Sequence, residues 1–274
     1  MEKTNRADIV ISQDTLYCLL LLVSTVGGSY LGFNRYLRQY QSARQIPASI
    51  FKKRWLYGKV TSVGDGDNFH FYHLPGGRIG GWGWLRSVPR LDKAEFTSNK
   101  NIKTTGQSGW FKKLRFNRNN NIVTRSNYYM SLQPAMKGKI KLPTIPVRLC
   151  GVDAPERAHF GNPSQPFSDE ALNWLRYTIL AKRVWIKPLS IDQYNRCVAR
   201  AVYWSWLGGW KDISLQMVKE GLAVVYEGKS GAEFDGQERK YRFNEFLAKS
   251  QKKGLWIQKK LLTPGEYKKR NKNS

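Results

Sequence analysis

The sequence predicts a β-barrel with added helices, an α+β fold, preceded by one transmembrane helix. Short segments that alternate apolar and polar residues, separated by Gly-rich turns, are typical of strands, and amphipathic helical segments lie between and after them. An uncharged apolar run near the N-terminus has the length of a membrane span. Five or so strands with interspersed helices suit a five-stranded Greek-key barrel.

The apolar run covers residues 15–33 and contains no charged side chain. As a helix it extends about 28 Å at 1.5 Å per residue, close to the roughly 30 Å of a bilayer core. A cleaved signal peptide and a buried core helix are the alternatives. The leader, residues 1–14, is more acidic than basic, which disfavours the first, and an apolar surface on every side disfavours the second. We therefore expect an uncleaved, single-pass membrane span.

A basic juxtamembrane linker follows at residues 34–54, where arginine and lysine occur without any acidic residue. Positive flanks stay on the non-translocated side of a membrane, so the large C-terminal part is expected to face the cytosol or an equivalent compartment. The three cysteines, Cys18, Cys150 and Cys197, are scattered and odd in number, so they predict no disulfide framework. This agrees with a reducing compartment.

Residues 55–260 are predicted to form one folded domain, and residues 261–274 a basic tail. The first element of the folded domain is a hairpin in residues 55–74, where the turn GDGD separates two runs of β-favouring residues. Further strands are expected at residues 145–154, 183–189 and 196–204.

Three helices are expected in the same domain. The first has Ser168 at its N-cap position and two acidic residues in its first turn. Asp212 is expected to cap a short second helix that ends at Gly221. The third is expected at about residues 236–253, before Gly254.

A long basic insert, at about residues 75–143, interrupts the domain. Tryptophan and phenylalanine are interspersed among its lysines and arginines, so it could bind single-stranded nucleic acid by stacking and phosphate contact. A solvated, disordered loop fits the same composition. With 46 basic and 20 acidic side chains, the whole chain has a net charge of +26, which predicts a polyanionic partner: nucleic acid or an anionic membrane.

Five charged residues form the candidate site: Asp67, Asp153, Glu156, Arg148 and Arg196. Clustered carboxylates repel unless a cation lies between them, and Ca²⁺ accepts carboxylate, carbonyl and water oxygens. Guanidinium groups match phosphate oxygens, and a nearby carboxylate can orient or deprotonate water. Such a set suits phosphodiester hydrolysis, although each motif by itself is more common as a surface ion pair or an ordinary turn.

Five segments together resemble the staphylococcal nuclease (thermonuclease) family: VTSVGDGDNF, VRLCGVDAPE, DQYNRCVARAVYW, DISLQMVKEGLAVV and AKSQKKGLW. They occur in the family order and cover most of residues 59–258, apart from the insert. With the apolar run and the basic insert, the chain is similar to membrane-anchored probable endonucleases of fungi. The resemblance implies an OB-fold, Ca²⁺-dependent cleavage of DNA and RNA, and a mitochondrial location.

The resemblance assigns roles residue by residue. Arg148, Glu156 and Arg196 align with the family's catalytic residues. Asp67 and Asp153 align with its calcium-binding aspartates.

Two positions depart from the family pattern. Ala154 stands where the family has a threonine that contributes through its main-chain carbonyl, so Ala154 remains an expected metal residue. The family's tyrosines after GLA are not matched in register, and Tyr226 lies nearby instead.

Three functions compete at this point. The first is a membrane-anchored, Ca²⁺-dependent endonuclease with nucleic acid as substrate. The second is a catalytically silent nucleic-acid-binding module tethered to a membrane. The third is a scaffold whose basic segments contact anionic lipid, which leaves the acidic cluster without a role.

Overall fold

The computed structural model describes residues 12–77, 88–89, 91–93, 132–134, 142–158, 163–227, 232–258 and 261–272. The chain divides into two compact units, Met1–Gln39 and Tyr40–Ser274. Most of the insert at 75–143 falls outside the described residues. Its expected role in binding single-stranded nucleic acid therefore concerns residues that the structure does not describe.

The first unit contains helix α1, Gln13–Gly32, which continues as a π-helical turn, Phe33–Leu37. The Ser12 hydroxyl accepts a hydrogen bond from the Thr15 amide at 3.3 Å and caps its N-terminus. None of the residues in Gln13–Gly32 is buried. The helical stretch Gln13–Leu37 is long and apolar enough to cross a membrane.

The second unit begins earlier than the sequence predicts. Residues 40–54 were expected to be linker, but Tyr40, Ala43, Ile46 and Ile50 are buried in the core of the domain. The segment is irregular apart from the 3-10 turn Ala43–Gln45, and burial of its apolar side chains in the core favours this packing. Only two residues, Arg38 and Gln39, therefore separate the apolar helix from the folded domain.

Ten strands occur in the described residues. They are β1 Leu56–Asp65, β2 Asn68–His73, β3 Leu91–Lys93, β4 Leu132–Pro134, β5 Ile145–Leu149, β6 Val152–Asp153, β7 Arg183–Ile191, β8 Cys197–Ser205, β9 Gly209–Asp212 and β10 Val224–Val225. The further helices are α2 Ser168–Ile179, α3 Ile213–Lys219, α4 Glu238–Ser250 and α5 Pro264–Lys272. The expected first hairpin is β1–β2, and its turn is Gly66–Asp67.

The main sheet has the order β5-β2-β1-β7-β8-β9, with an additional pairing of β5 with β8. That pairing is parallel and joins Val147 to Cys197 and Arg148 to Val198. Each of the five strands β5, β2, β1, β7 and β8 is therefore hydrogen-bonded to two others of this set, as a five-stranded barrel requires. The expected α+β fold is confirmed.

Alternation along the strands fills the interior. On β5, Ile145, Val147 and Leu149 are buried while Pro146 and Arg148 are only partly covered. Burial of these apolar side chains drives the closure, and the polar side of the same strand is left to carry Arg148.

Helix α2 begins one residue differently from the prediction. Phe167 is the N-cap residue, with a left-handed backbone (φ 68°), and Ser168 is the first helical residue. Ser168 is buried, so packing rather than capping fixes its position. At α3 the prediction is confirmed, because the Asp212 carboxylate accepts from the Leu215 amide at 3.1 Å.

The basic tail contains helix α5. Its start is a capping box: the Glu266 carboxylate accepts from the Thr263 amide at 2.9 Å, and the Thr263 hydroxyl accepts from the Glu266 amide at 3.3 Å. The Tyr267 hydroxyl donates to the Pro163 carbonyl. The tail is therefore folded and contacts the domain.

Two glycines provide a matched test of backbone packing. Gly221 has φ +66°, and a Cβ there would lie 2.2 Å from the Lys253 carbonyl oxygen, whereas Gly236 has φ +74° with nothing within 4 Å. A left-handed alanine costs about 1–2 kcal/mol at either position. We expect Gly236→Ala to lose about that much, and Gly221→Ala about 1–3 kcal/mol more, because backbone must move. Denaturant unfolding of both variants checks this, and equal losses would contradict it.

Candidate active site

The first aspartate is held against β5 despite the insert between them. Asn68 of β2 pairs with Arg148 of β5, and the Leu149 amide donates to the Asp67 carbonyl at 2.9 Å. The insert leaves the barrel after β2 and returns before β5, and these two strands pair directly. Its length consequently does not displace the turn that carries Asp67.

Arg148 joins two of the predicted metal residues. Its Nη2 lies 3.3 Å from Asp67 Oδ2 and 2.9 Å from Asp153 Oδ1. Both aspartates are buried, at 8% and 2% exposed. Burial lowers the pKa of the Arg148 guanidinium, but Asp67 and then Asp153 raise it, and the net shift is upward. The charged form is thus strongly favoured between the two carboxylates.

A third aspartate, Asp65, belongs to the same cluster and was not among the predicted site residues. The pKa of its carboxyl is raised to about 6, because burial and then the charges of Asp67 and Glu156 raise it by more than the Gly66 amide and the Arg157 charge lower it. Asp65 thus lies close enough to Asp67 and to Glu156 to be repelled by both. The GDGD turn contains two aspartates, and this duplication was the signal available in the sequence.

Glu156 is positioned through its main chain by Gln165. The Gln165 Oε1 accepts from the Glu156 amide at 2.9 Å, and the Glu156 carbonyl accepts from the Gln165 amide at 2.8 Å. Gln165 is buried and also donates to the Leu262 carbonyl at 3.0 Å. Glu156 itself is only partly buried.

Arg196 lies at the turn between β7 and β8. Its Nε is 2.7 Å from Asp192 Oδ2, and its guanidinium lies 5.3 Å from the centre of the Tyr194 ring. The Asp192 charge is the smallest of the influences that raise the pKa of Arg148, and the pairing of Val147 with Cys197 places this turn next to β5. Arg196 thus contacts Asp192, whereas Arg148 contacts Asp67 and Asp153 directly.

Two remaining positions pack beside the cluster. Ala154 is buried. Its Cβ packs against Gly66 so closely that a Cβ added to Gly66 would lie only 2.7 Å away from it. Arg148 lies 5.9 Å from the centre of the Tyr226 ring, and the Tyr226 amide donates to the Gly151 carbonyl at 3.0 Å. Tyr226 is therefore a neighbour of Arg148, although it departs from the family pattern.

The donor chemistry suits a hard cation. The cluster offers carboxylate oxygens and no thiol or imidazole ligand among the residues named, as Ca²⁺ prefers. Within the described ranges, no three His, Cys, Asp or Glu side chains converge on one point as a metal-binding group. Asp67 and Asp153 are brought together as a pair, so a cation here requires further oxygens from main chain or water.

Comparison with known proteins identifies the fold family. Residues 146–258 match the family described as staphylococcal nuclease homologue. Proteins named probable endonuclease LCL3 are similar over nearly the whole chain. The Saccharomyces cerevisiae protein is 56% identical over 266 residues, 94% of this chain and 96% of that protein. The Kluyveromyces lactis protein is 55% identical over 267 residues, 97% of each. The chain belongs to the staphylococcal nuclease homologues.

The range that matches the staphylococcal nuclease family includes four of the five charged site residues. It contains Arg148, Asp153, Glu156 and Arg196 but begins after Asp67. The insert separates Asp67 from the rest in sequence, and the β2–β5 pairing restores its position in space. The family resemblance stated from the sequence is confirmed.

Proposed function

We propose that this staphylococcal nuclease homologue is a membrane-anchored, Ca²⁺-dependent endonuclease that hydrolyses phosphodiester bonds of DNA, RNA or both. Membership of the family makes the chain a nuclease, a phosphodiester hydrolase, and the similar yeast proteins are named probable endonucleases. The observation that carries the site is the shared contact of Asp67 and Asp153 with one nitrogen of Arg148.

Arg148 and Arg196 are the proposed phosphate-binding groups. Each guanidinium is charged, partly accessible and already paired with a carboxylate, so a phosphate can take over part of that pairing. Charge develops on the phosphate oxygens in the transition state, and fixed cations stabilise it without reorganisation. The net charge of +26 attracts the polyanionic substrate towards the domain.

Glu156 is the proposed group that orients or deprotonates water. Gln165 binds both the amide and the carbonyl of Glu156, so the carboxylate extends from a rigid base. The neighbouring Asp65, whose pKa is raised to about 6, is ionised at neutral pH and adds negative charge beside Glu156. Arg148, Glu156 and Arg196 are thus the proposed catalytic residues.

Asp67 and Asp153 are the proposed Ca²⁺ ligands, with the main-chain carbonyl of Ala154 as a third oxygen. When bound, Ca²⁺ supplies positive charge beside the phosphate oxygens. The excess of carboxylates around a single arginine supports this assignment, because a cation relieves their repulsion.

Anchoring is proposed through α1 and its continuation, as a single-pass span. The stretch Gln13–Leu37 satisfies the length and hydropathy of a span, and the basic residues after it favour a domain on the non-translocated side. A mitochondrial membrane is the proposed location, on the family resemblance alone.

An assay on the full chain in lipid nanodiscs tests the activity. Circular single-stranded DNA and circular RNA are suitable substrates, because only an internal cut linearises them. We expect linear products with Ca²⁺ and none once Ca²⁺ is chelated. Binding of both circles without cutting would favour a catalytically silent binding module, and cutting that continues in chelator would contradict the metal requirement.

A further inference from the structure

The hairpin formed by β8 and β9 ends in two exposed apolar side chains. The strands pair from Val202–Asp212 to Ser205–Gly209, which leaves residues 206–208 as the turn. Trp206 is 91% exposed and Leu207 is 98% exposed. Single exposed apolar residues are ordinary, but an adjacent Trp–Leu pair at the tip of a hairpin is an unusual concentration of apolar surface.

The tip is presented on a well-formed hairpin. Trp204 and Trp210 face each other across the strands, with ring centroids 5.3 Å apart and planes at 74°. Cross-strand aromatic pairs in this edge-to-face arrangement stabilise a hairpin. The left-handed Gly209 (φ +63°) allows the tight turn. The paired strands and the Trp204–Trp210 contact therefore keep Trp206 and Leu207 exposed at the end of the hairpin.

Below the tip lies a shelf of aromatic side chains. Trp204 and Trp210 are about half exposed, at 52% and 51%. Trp210 also lines an open groove of about 430 Å³, together with Trp55, Trp185, Arg200 and Val202. An exposed apolar tip, with further tryptophans behind it and Arg200 behind these, matches the depth profile of a bilayer interface.

We propose that the hairpin tip, Trp206–Leu207, inserts into the interfacial region of a phospholipid bilayer. This rests on the proposed anchoring through α1 for its source of lipid. Arg38 and Gln39 alone join Leu37 to Tyr40, so the connection spans at most about 11 Å over its three peptide steps. A domain tethered this closely meets the bilayer at a high effective concentration, so a weakly lipid-binding tip suffices.

Lipid is favoured over a nucleic-acid strand as the occupant for two reasons. Leu207, the most exposed residue of the tip, has neither an aromatic face for a base nor a donor for a phosphate. The tip also lies far from the candidate active site along β8. Val198 pairs with Arg148, and Ser205 follows seven residues later, about 23 Å along the strand. Insertion of the tip therefore leaves the site accessible.

The test places an environment-sensitive dye on the full chain in phosphatidylcholine vesicles. The dye is attached at Leu207→Cys and, as a control, at Phe243→Cys, which is 60% exposed on helix α4. Both variants carry Cys18→Ala, because Cys18 is exposed whereas Cys150 and Cys197 are buried. We expect a blue-shifted emission at position 207 and several-fold stronger quenching by spin-labelled lipid than at position 243. Equal quenching at the two positions would overturn the proposal.

Two further measurements on the same samples keep the proposals apart. Resistance to alkaline extraction reports whether α1 is embedded, independently of the dye at position 207. Cleavage of circular DNA reports the nuclease, and it is expected to persist in Trp206→Ser/Leu207→Ser, since neither residue belongs to the site. A dye response at position 207 to single-stranded oligonucleotide instead of lipid would assign the tip to nucleic acid and overturn lipid insertion.

Discussion

Replacing Glu156 with glutamine is expected to lower kcat by about 10²–10⁴-fold, the range that a general acid or base contributes. Glutamine keeps the size of the side chain and removes its ability to accept a proton. The hydrogen bonds with Gln165 are retained, because they involve the main-chain amide and carbonyl of residue 156 rather than its side chain. Folding and substrate affinity should therefore change little.

The matched control is Glu170→Gln, an exposed acid in the first turn of α2. Single-turnover cleavage of a short substrate, measured with Ca²⁺ present, reports the chemical step for both variants. Substrate binding measured in chelator reports affinity separately. An unchanged rate in Glu156→Gln would contradict the assigned role, and an equal loss in Glu170→Gln would show that general charge is responsible.

The sequence predicted the parts of the site that depend on local patterns. Alternation along residues 145–149 places Arg148 opposite the buried Val147 and Leu149, and this follows from strand geometry alone. The Asp212 cap likewise depends on contacts within one turn. The order of the motifs then predicted the family and the fold.

Features that depend on distant contacts were missed. Gln165 holds Glu156 through hydrogen bonds across nine positions and reaches Leu262, and no local pattern indicates such a pairing. The burial of Tyr40 requires its stacking on His73, at 4.9 Å between ring centroids, from a different part of the chain. The raised pKa of Asp65 arises from burial and neighbouring charge, which only the folded barrel creates.

Loss of Arg148 is expected to affect stability as well as activity. Arg148→Met keeps much of the side-chain volume but leaves Asp67 and Asp153 buried without their shared cation. Removing one partner of a buried ion pair costs about 3–5 kcal/mol. Activity should fall about 10²–10³-fold, as for the loss of one group that stabilises transition-state charge.

Arg157→Met is the matched control for stability. Arg157 Nε lies 3.3 Å from Asp169 Oδ1, but the two side chains are 41% and 69% exposed. An exposed pair of this kind contributes about 0–1 kcal/mol. Denaturant unfolding in chelator should therefore separate the two arginines clearly, and similar small losses in both variants would contradict the burial of a charged cluster around Arg148.

The cause of the Arg148 effect can be isolated by removing the charges that it neutralises. In Arg148→Met/Asp153→Asn one carboxylate is neutral, so a large part of the lost stability should return, as a coupling between neighbouring residues requires. Added Ca²⁺ should likewise stabilise Arg148→Met more than the unaltered chain, because the cation then replaces the missing guanidinium charge between Asp67 and Asp153. If neither change restores stability, the loss comes from packing against Tyr226 rather than from unpaired carboxylates.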